Sequence, residues 1–576
     1  MAKLFIYFCF LFFLIYAFFI FQTNFHGPDE PIYYAYTESI VEDGDFNVVN
    51  NIDRDNHLYF PSGVAEVSKT YNLPDFHGHG GVVLWAPFYV YAKFMYSMAI
   101  KFKMTKLIAY GPKRVIECLM SFSTIVFGFF ILIITYIFCR NFFSDKISFF
   151  STLVICFGTP FFYFLLFEVG NAQILASLLS VLSIWAISCV IGIKRSHWFV
   201  YGLFFGICIA TKVDLWFQIF FILSFLMVNF VLKRMTWKNF GFFIFGVMPA
   251  YILKIINDYI KYGTFHMGEF GILNFKGSYF WEMLFSSYRG YFYTSPILYI
   301  CLLGFILVAA RSLRNVEILS GVKEIGGDKS RDLFIFILSS YLLIKIFIIS
   351  YDYAWGGGTP GGRVLLTDFP VFVILYAYIL QTQKGFRRYC LLVVSLIFIL
   401  WNLLIISEYM IGVDLNYVLG MPSLSIRIKS FKNILISLFN YQDLKLKSYL
   451  CLFPILIISG ITFYVIMFSK RVCFSFWDYK KIKNNQAFKV FCLFAIVLNF
   501  SYVYATFLNV YNNKNNVEKL KKDGVFKNAK ILTPRDFEKN ENSRAMDEMI
   551  EYFTLKGDQK RVYRIEKQKQ ESYGEN

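Results

Sequence analysis

The sequence predicts an all-α, polytopic membrane protein of about thirteen transmembrane helices with a long first loop. Composition comes first: the 576-residue chain is 57% hydrophobic and only 17% charged, with a mean hydropathy of +0.52. A soluble domain carries about a quarter charged residues, so most of this chain lies in something other than water. Next, apolar runs of roughly 20 residues recur along the whole length, and each can cross a hydrocarbon layer about 30 Å thick. The third observation is the placing of charge. Basic residues cluster in short loops that alternate with acidic or neutral ones, which is the positive-inside pattern of membrane topology. The net charge of +18 therefore does not point to nucleic acid.

Taken in order, the first apolar run, 4–21, follows Lys3 and lacks a small-residue cleavage site, so it reads as a retained helix with its N-terminus inside. A long outer loop follows at 22–113 and is markedly acidic up to Phe76. Its later part, 82–100, is aromatic and amphipathic and contains Pro87, which predicts a helix lying along the interface. The next spans are 115–138, 147–167 and 173–193. The apolar stretch 198–232 is too long for one straight crossing at about 1.5 Å per residue. The polar run 211–214 divides it into two short helices that meet at the outer side.

Spans then follow at 239–257, 295–310, 333–350, 364–380, 389–411, 449–468 and 487–508, with outer loops at 258–293 and 351–363. Residues 1–510 form one membrane module, and 511–576 form a polar C-terminal tail that this count puts outside. The 70 Phe and 40 Tyr read first as lipid-facing and interfacial anchors. Most of the eleven cysteines lie inside apolar spans and none forms a CxxC pair, so disulfides and thiolate metal sites are not expected.

Ionisable residues in or beside the spans gather on the outer half: Glu117, Lys212, Asp214, Lys254, Asp258, Lys345, Asp368 and Glu408. A charge in the apolar zone is costly and normally serves a partner, a cavity or a substrate. Together they predict a polar cavity open to the outer face, roofed by the three outer loops. Within FHGPDEPIYYAY, Asp29 and Glu30 follow the first helix directly. A carboxylate near an apolar roof can have its pKa raised, which suits it to accept a proton.

The loop YDYAWGGGTPGGR supplies backbone for close approach, an aromatic face at Trp355 and a cation at Arg363. Arg363 begins a helix, where free N–H groups also favour an anion. Lys212 in ATKVD and Arg289 in SSYRGYFYTSP are further candidates to neutralise a phosphate. Tyr33, Tyr34, Lys69, His77 and His79 complete the substrate-binding candidates. No cofactor is expected; a divalent metal stays an open alternative that the ligand spacing does not support, since His77-x-His79 has no third ligand at a diagnostic spacing.

The chain resembles the GT-C superfamily of membrane glycosyltransferases, in particular the branch of the protein O-mannosyltransferases and the lipid A aminoarabinose transferase. The resemblance runs over roughly 1–508 and is carried in order by DEPIYY, GHGGVVLWAPFY, GTPFFYF, GICIATK, SSYRGYFYTSPILY and WGGGTPGGR. It implies a GT-C-like bundle and an inverting transfer from a polyprenyl-phosphate-linked sugar to a lipid, glycan or protein acceptor outside the cytoplasmic membrane. It also implies Asp29 as the acidic catalytic position, with Glu30 its neighbour, and Lys212, Arg289 and Arg363 at positions of bases. The chain departs from the pattern at PSGVAEVSKTYNLPDFHGH and at Gly361-Gly362, where relatives carry a bulky residue and a proline. The alternative is a transporter or flippase of a lipid-linked sugar, a class that shows repeated halves with helix breaks in matching positions. Here one clear break is read, at 211–214.

Overall fold

The computed structural model describes residues 29–52, 66–73, 77–190, 195–231, 236–264, 278–286, 290–319, 328–351, 361–410, 486–523, 530–531 and 559–573. Isolated positions at 11 and 23, between 432 and 458, and between 546 and 554 are described as well. Among these residues the protein is almost wholly helical. Seven helices are long and apolar enough to cross a membrane, and Ala172–Ser188 and Ile297–Ser312 are shorter apolar helices. The expected spans 4–21 and 449–468 lie almost entirely outside the described residues.

Most elements follow the hydropathy pattern, and the departures have local causes. The expected span 147–167 is two helices, Asp145–Gly158 and Phe161–Leu166. Thr159 is extended and Pro160 caps the second helix; proline lacks the N–H that would continue the first. The expected division of 198–232 is present. Arg195–Thr211 ends, Lys212 is extended, and a 3-10 turn Val213–Leu215 precedes the helix Gln218–Val231. The span expected at 364–380 opens with a 3-10 turn, Arg363–Asp368, before the helix Phe369–Thr382. A helix forms at Val82–Lys101, with Pro87 inside it and Val90, Phe94 and Ile100 exposed.

Helix packing near the break at 211–214 uses small residues. Gly202 and Gly206 of Arg195–Thr211 face Gly246 and Ala250 of Trp237–Tyr262. A Cβ on Gly202 would lie 2.2 Å from the Phe243 carbonyl oxygen, and one on Gly206 would lie 2.8 Å from that of Val247. This small-xxx-small spacing lets two backbones touch, which is how helices associate where lipid removes the hydrophobic driving force.

The last candidate span lies in the helix Gln486–Lys522, which has 37 residues. At 1.5 Å per residue it is about 55 Å long, well beyond a hydrocarbon layer. The boundary expected near 510 falls inside it. Its projecting end binds the first loop. Asn509 accepts from the Phe46 N–H at 3.0 Å, Asn512 donates to the Gly44 carbonyl at 3.2 Å, and Asn516 donates to the Asp43 carbonyl at 3.0 Å. Beyond the helix, Lys530–Ile531 pairs in parallel with Glu66–Val67. The first loop and the C-terminal segment therefore lie on the same side.

Gly202→Leu should separate the Arg195–Thr211 and Trp237–Tyr262 helices. Overpacking of this kind costs about 1–3 kcal/mol or more, read as a lowered melting temperature of the purified protein in detergent, while Gly241→Ala, where a Cβ meets nothing within 4 Å, should leave it unchanged.

Candidate functional site

Asp29 stands at the N-cap of the helix Glu30–Glu42, with Pro31 in the first turn. Aspartate at this position usually accepts from the N–H groups of the turn it opens. Here its side chain makes no cap hydrogen bond. It is turned instead to a residue 334 positions on, where Arg363 Nη1 donates to Asp29 Oδ2 at 2.9 Å. His77 Nε2 lies 3.7 Å from the other oxygen. The helix N-terminus adds its own partial positive charge. Burial alone would raise the Asp29 pKa, but Arg363, His77 and Lys212 outweigh it and hold the carboxyl well below the usual carboxylate range.

The loop carrying His77 is fixed by backbone contact. The Gly80 N–H donates to the Ala210 carbonyl at 3.0 Å, and a Cβ on Gly78 would lie 2.4 Å from the Thr211 carbonyl oxygen. Only glycine allows that approach, and it sets His77 beside the residue that follows Thr211, which is Lys212. The His77 ring packs edge-on against Tyr33, with centroids 4.9 Å apart, and Tyr33 leans on Trp85 at 5.2 Å. Lys212 Nζ is 4.0 Å from Asp214. With the Gln173 amide oriented to satisfy both of its ends, its oxygen accepts from Lys212 Nζ at 3.0 Å and its nitrogen donates to the Arg363 carbonyl at 3.3 Å. Burial lowers the Lys212 ammonium pKa, and the Asp214 carboxylate opposes it.

Arg363 is delivered by a backbone that only glycine can form. Gly361 has a φ of +88°, and a Cβ on Gly362 would lie 1.4 Å from a carbon of the Tyr291 ring. The departure noted in the sequence at Gly361-Gly362 is thus the seat of an aromatic ring laid against bare backbone.

A further carboxyl joins the site that the sequence reading did not single out. Glu168 follows the helix Phe161–Leu166 and is buried, 6% exposed. Burial, then the neighbouring Glu30, and then Asp29 raise its pKa well above the usual carboxylate value, against the opposing Arg363 and Lys212. Glu30 itself is 1% exposed. The cluster thus holds one carboxyl whose proton affinity is lowered by a guanidinium and another whose proton affinity is raised by burial and like charge. Environments that drive two acids apart in this way are the usual setting of proton transfer. An acid standing directly after the apolar run FFYFLLF was the available signal.

The eight outer-half charges do not line one open cavity as expected; most are paired locally. Lys345 bonds Asp368 at 2.7 Å, Lys254 bonds Asp258 at 2.6 Å, and Arg114 lies 3.6 Å from Glu117. A charge in a medium of low dielectric is neutralised by the nearest opposite charge. Of the eight, Lys212 and Asp214 join the Asp29 cluster, and the Glu408 side chain lies outside what is described.

Among the other candidates, His79 is stacked on Phe46 at 4.6 Å and edge-on to Tyr36 at 4.7 Å. Tyr34 packs near Tyr89 at 6.1 Å. Lys69 is exposed on a turn whose Ser68 and Thr70 hydroxyls donate to the Lys261 carbonyl. The geometry brings Asp29, Glu30, Tyr33, His77, Lys212 and Arg363 together. Arg289 and Trp355 lie outside the described residues. Among the described residues, no group of three or more His, Cys, Asp or Glu side chains is arranged to hold a metal ion.

The raised Glu168 pKa fixes a sign for stability against pH. A carboxyl with a raised folded-state pKa contributes stability that is present below its unfolded value of about 4.3 and lost as pH rises through the folded value. Each unit of separation is worth about 1.4 kcal/mol. Glu168→Gln, which mimics the protonated acid, should therefore raise the melting temperature at pH 8 more than at pH 5. A variant less stable than the parent at both values would show that Glu168 is ionised in the fold.

No protein-family model and no curated protein sequence matches the chain. Among solved structures it is similar to the crystal structure of ArnT from Cupriavidus metallidurans bound to undecaprenyl phosphate, at 9% identity and a TM-score of 0.43, over 90% of this chain and 79% of that one. At that identity and score neither a reaction nor a ligand passes from one chain to the other.

Proposed function

We propose that the protein is an inverting glycosyltransferase of the cytoplasmic membrane. It takes a glycosyl group from a polyprenyl-phosphate-linked sugar and gives it to a lipid, glycan or protein acceptor on the outer face. The observation that supports this most is the meeting of Asp29 with Arg363 at 2.9 Å, with Lys212 and Glu168 inside the same electrostatic cluster. Acid and base groups for a proton transfer stand there beside cations suited to a phosphate. The order of DEPIYY, GICIATK and WGGGTPGGR along the chain, shared with the GT-C superfamily, agrees with it.

In this reading Arg363 and Lys212 hold the phosphate of a lipid donor that enters from the membrane. The acceptor oxygen attacks the anomeric carbon from the face opposite the phosphate. The bond from that carbon to the phosphate oxygen breaks, and its electron pair leaves with the lipid phosphate. Fixed cations in a water-poor cleft stabilise the charge that develops there. The acceptor proton passes to a carboxylate, Asp29 or its neighbour Glu30. A phosphate competes with Asp29 for the same guanidinium. Donor binding therefore weakens the Asp29–Arg363 ion pair and raises the proton affinity of Asp29 when it is needed. No protein nucleophile takes part in this single displacement. The N-terminus is cytoplasmic in this arrangement, and the cluster faces outward.

Purified protein given a polyprenyl-phosphate sugar and an acceptor should release free polyprenyl phosphate. Asp29→Asn should lower turnover by about 10²–10⁴-fold, the usual span for a general base; full activity would move that role to Glu30 or Glu168. Arg363→Ala removes a charge-assisted contact worth about 1.5–3 kcal/mol, so the apparent KM for the lipid donor should rise by about 10–150-fold. A pure fall in kcat would instead assign Arg363 to the charge of the transition state. Movement of the intact lipid-linked sugar across a vesicle membrane without cleavage would favour a flippase over a transferase.

A further inference from the structure

The 3-10 turn Arg363–Asp368 has six residues. Such turns have strained hydrogen bonds and seldom run beyond three or four residues unsupported. This one is met from outside by several side chains, and one ammonium group makes three of the bonds. Lys345, on the helix Asp328–Ile349 and 0% exposed, donates to the Val364 carbonyl, the Thr367 hydroxyl and the Asp368 carboxylate, each at 2.7 Å. An ammonium has three N–H bonds, and all three end on this turn. One helical turn earlier, the Tyr341 hydroxyl donates to the other oxygen of Asp368. From the opposite side the Ser180 hydroxyl donates to the Thr367 carbonyl and accepts from the Gln218 amide.

We infer that Lys345 is a positioning residue for Arg363: its ammonium fixes the turn that carries the guanidinium, and so sets how tightly the site holds the phosphate of a polyprenyl phosphate. A buried ion pair that served only to join two helices would need the Asp368 contact alone. The bonds to Val364 and Thr367 lie between that carboxylate and Arg363, and they define the path of the turn. The ammonium does not reach the site itself; its effect passes through the backbone of Arg363–Asp368. The inference rests on Arg363 as a contact to the lipid phosphate, and its test separates the two claims.

The probe is undecaprenyl phosphate in detergent, titrated by fluorescence against four proteins: the parent, Lys345→Met/Asp368→Asn, Arg363→Ala, and the combination of all three changes. Removing both charges together avoids stranding one of them, and the introduced amide keeps an oxygen for Tyr341. The double change should weaken binding about tenfold in the parent background and less than twofold in the Arg363→Ala background. Parent-like binding by the double variant overturns the inference, as does an equal loss in both backgrounds, which marks a general structural effect. Parent-like binding by Arg363→Ala overturns the phosphate contact and, with it, the part given to Lys345. Should the double variant fail to fold, Thr367→Val removes one of the three acceptors and leaves both charges. It should weaken binding about threefold, and unchanged binding again overturns the inference.

Discussion

The ion pair between Asp29 and Arg363 joins residues 334 positions apart, and the rest of the structure is arranged so that they can meet. Neither group has a local reason to be where it is. Asp29 forgoes the cap bond that its place on the helix offers, and Arg363 rides on a turn that needs support from another helix. In a cleft of low dielectric, a carboxylate and a guanidinium brought together are each far less costly than either alone. The first loop is thereby anchored to the membrane core at the place where chemistry is proposed.

Three interruptions in the helices supply the groups around that pair. The break at Thr159-Pro160 precedes Glu168, the break at Lys212 presents an ammonium, and the turn Arg363–Asp368 presents a guanidinium. In hydrocarbon an interrupted helix leaves backbone groups without partners, which is tolerated only where protein or a wet cavity supplies them. Here side chains do so: Asn402 donates to the carbonyls of Phe157 and Thr159, Gln173 to that of Arg363, and Lys345 to that of Val364. Polar side chains at these places mend the interrupted backbone.

The first loop is held by the helix Gln486–Lys522 as well. The asparagines on the projecting end of Gln486–Lys522 bind residues 43–46 of the first loop, and Asn509 also donates to Asn257 at 3.0 Å. Asn257 reaches Tyr502 and Thr506 on the same helix. A loop of this length has a large conformational entropy to lose. Its fixing by the helix Gln486–Lys522 keeps it in register with helices that it does not follow in sequence.

By itself the sequence determined the class of the protein, most of its spans, the break at 211–214 and the helix at Val82–Lys101. These are legible because hydropathy, proline and charge act over a few neighbouring residues, and lipid enforces them strictly. What only the tertiary structure decided depends on residues remote in sequence. Glu168 gives no local sign that it will face Glu30. Lys345 and Asp368 look like two outer-half charges until they are seen to saturate each other and a turn. The glycines at 361 and 362 read as backbone for close approach to a ligand until the Tyr291 ring is found against Gly362. A carboxyl's proton affinity and an ammonium's partner are set by the nearest charge in space, and the fold alone chooses that neighbour.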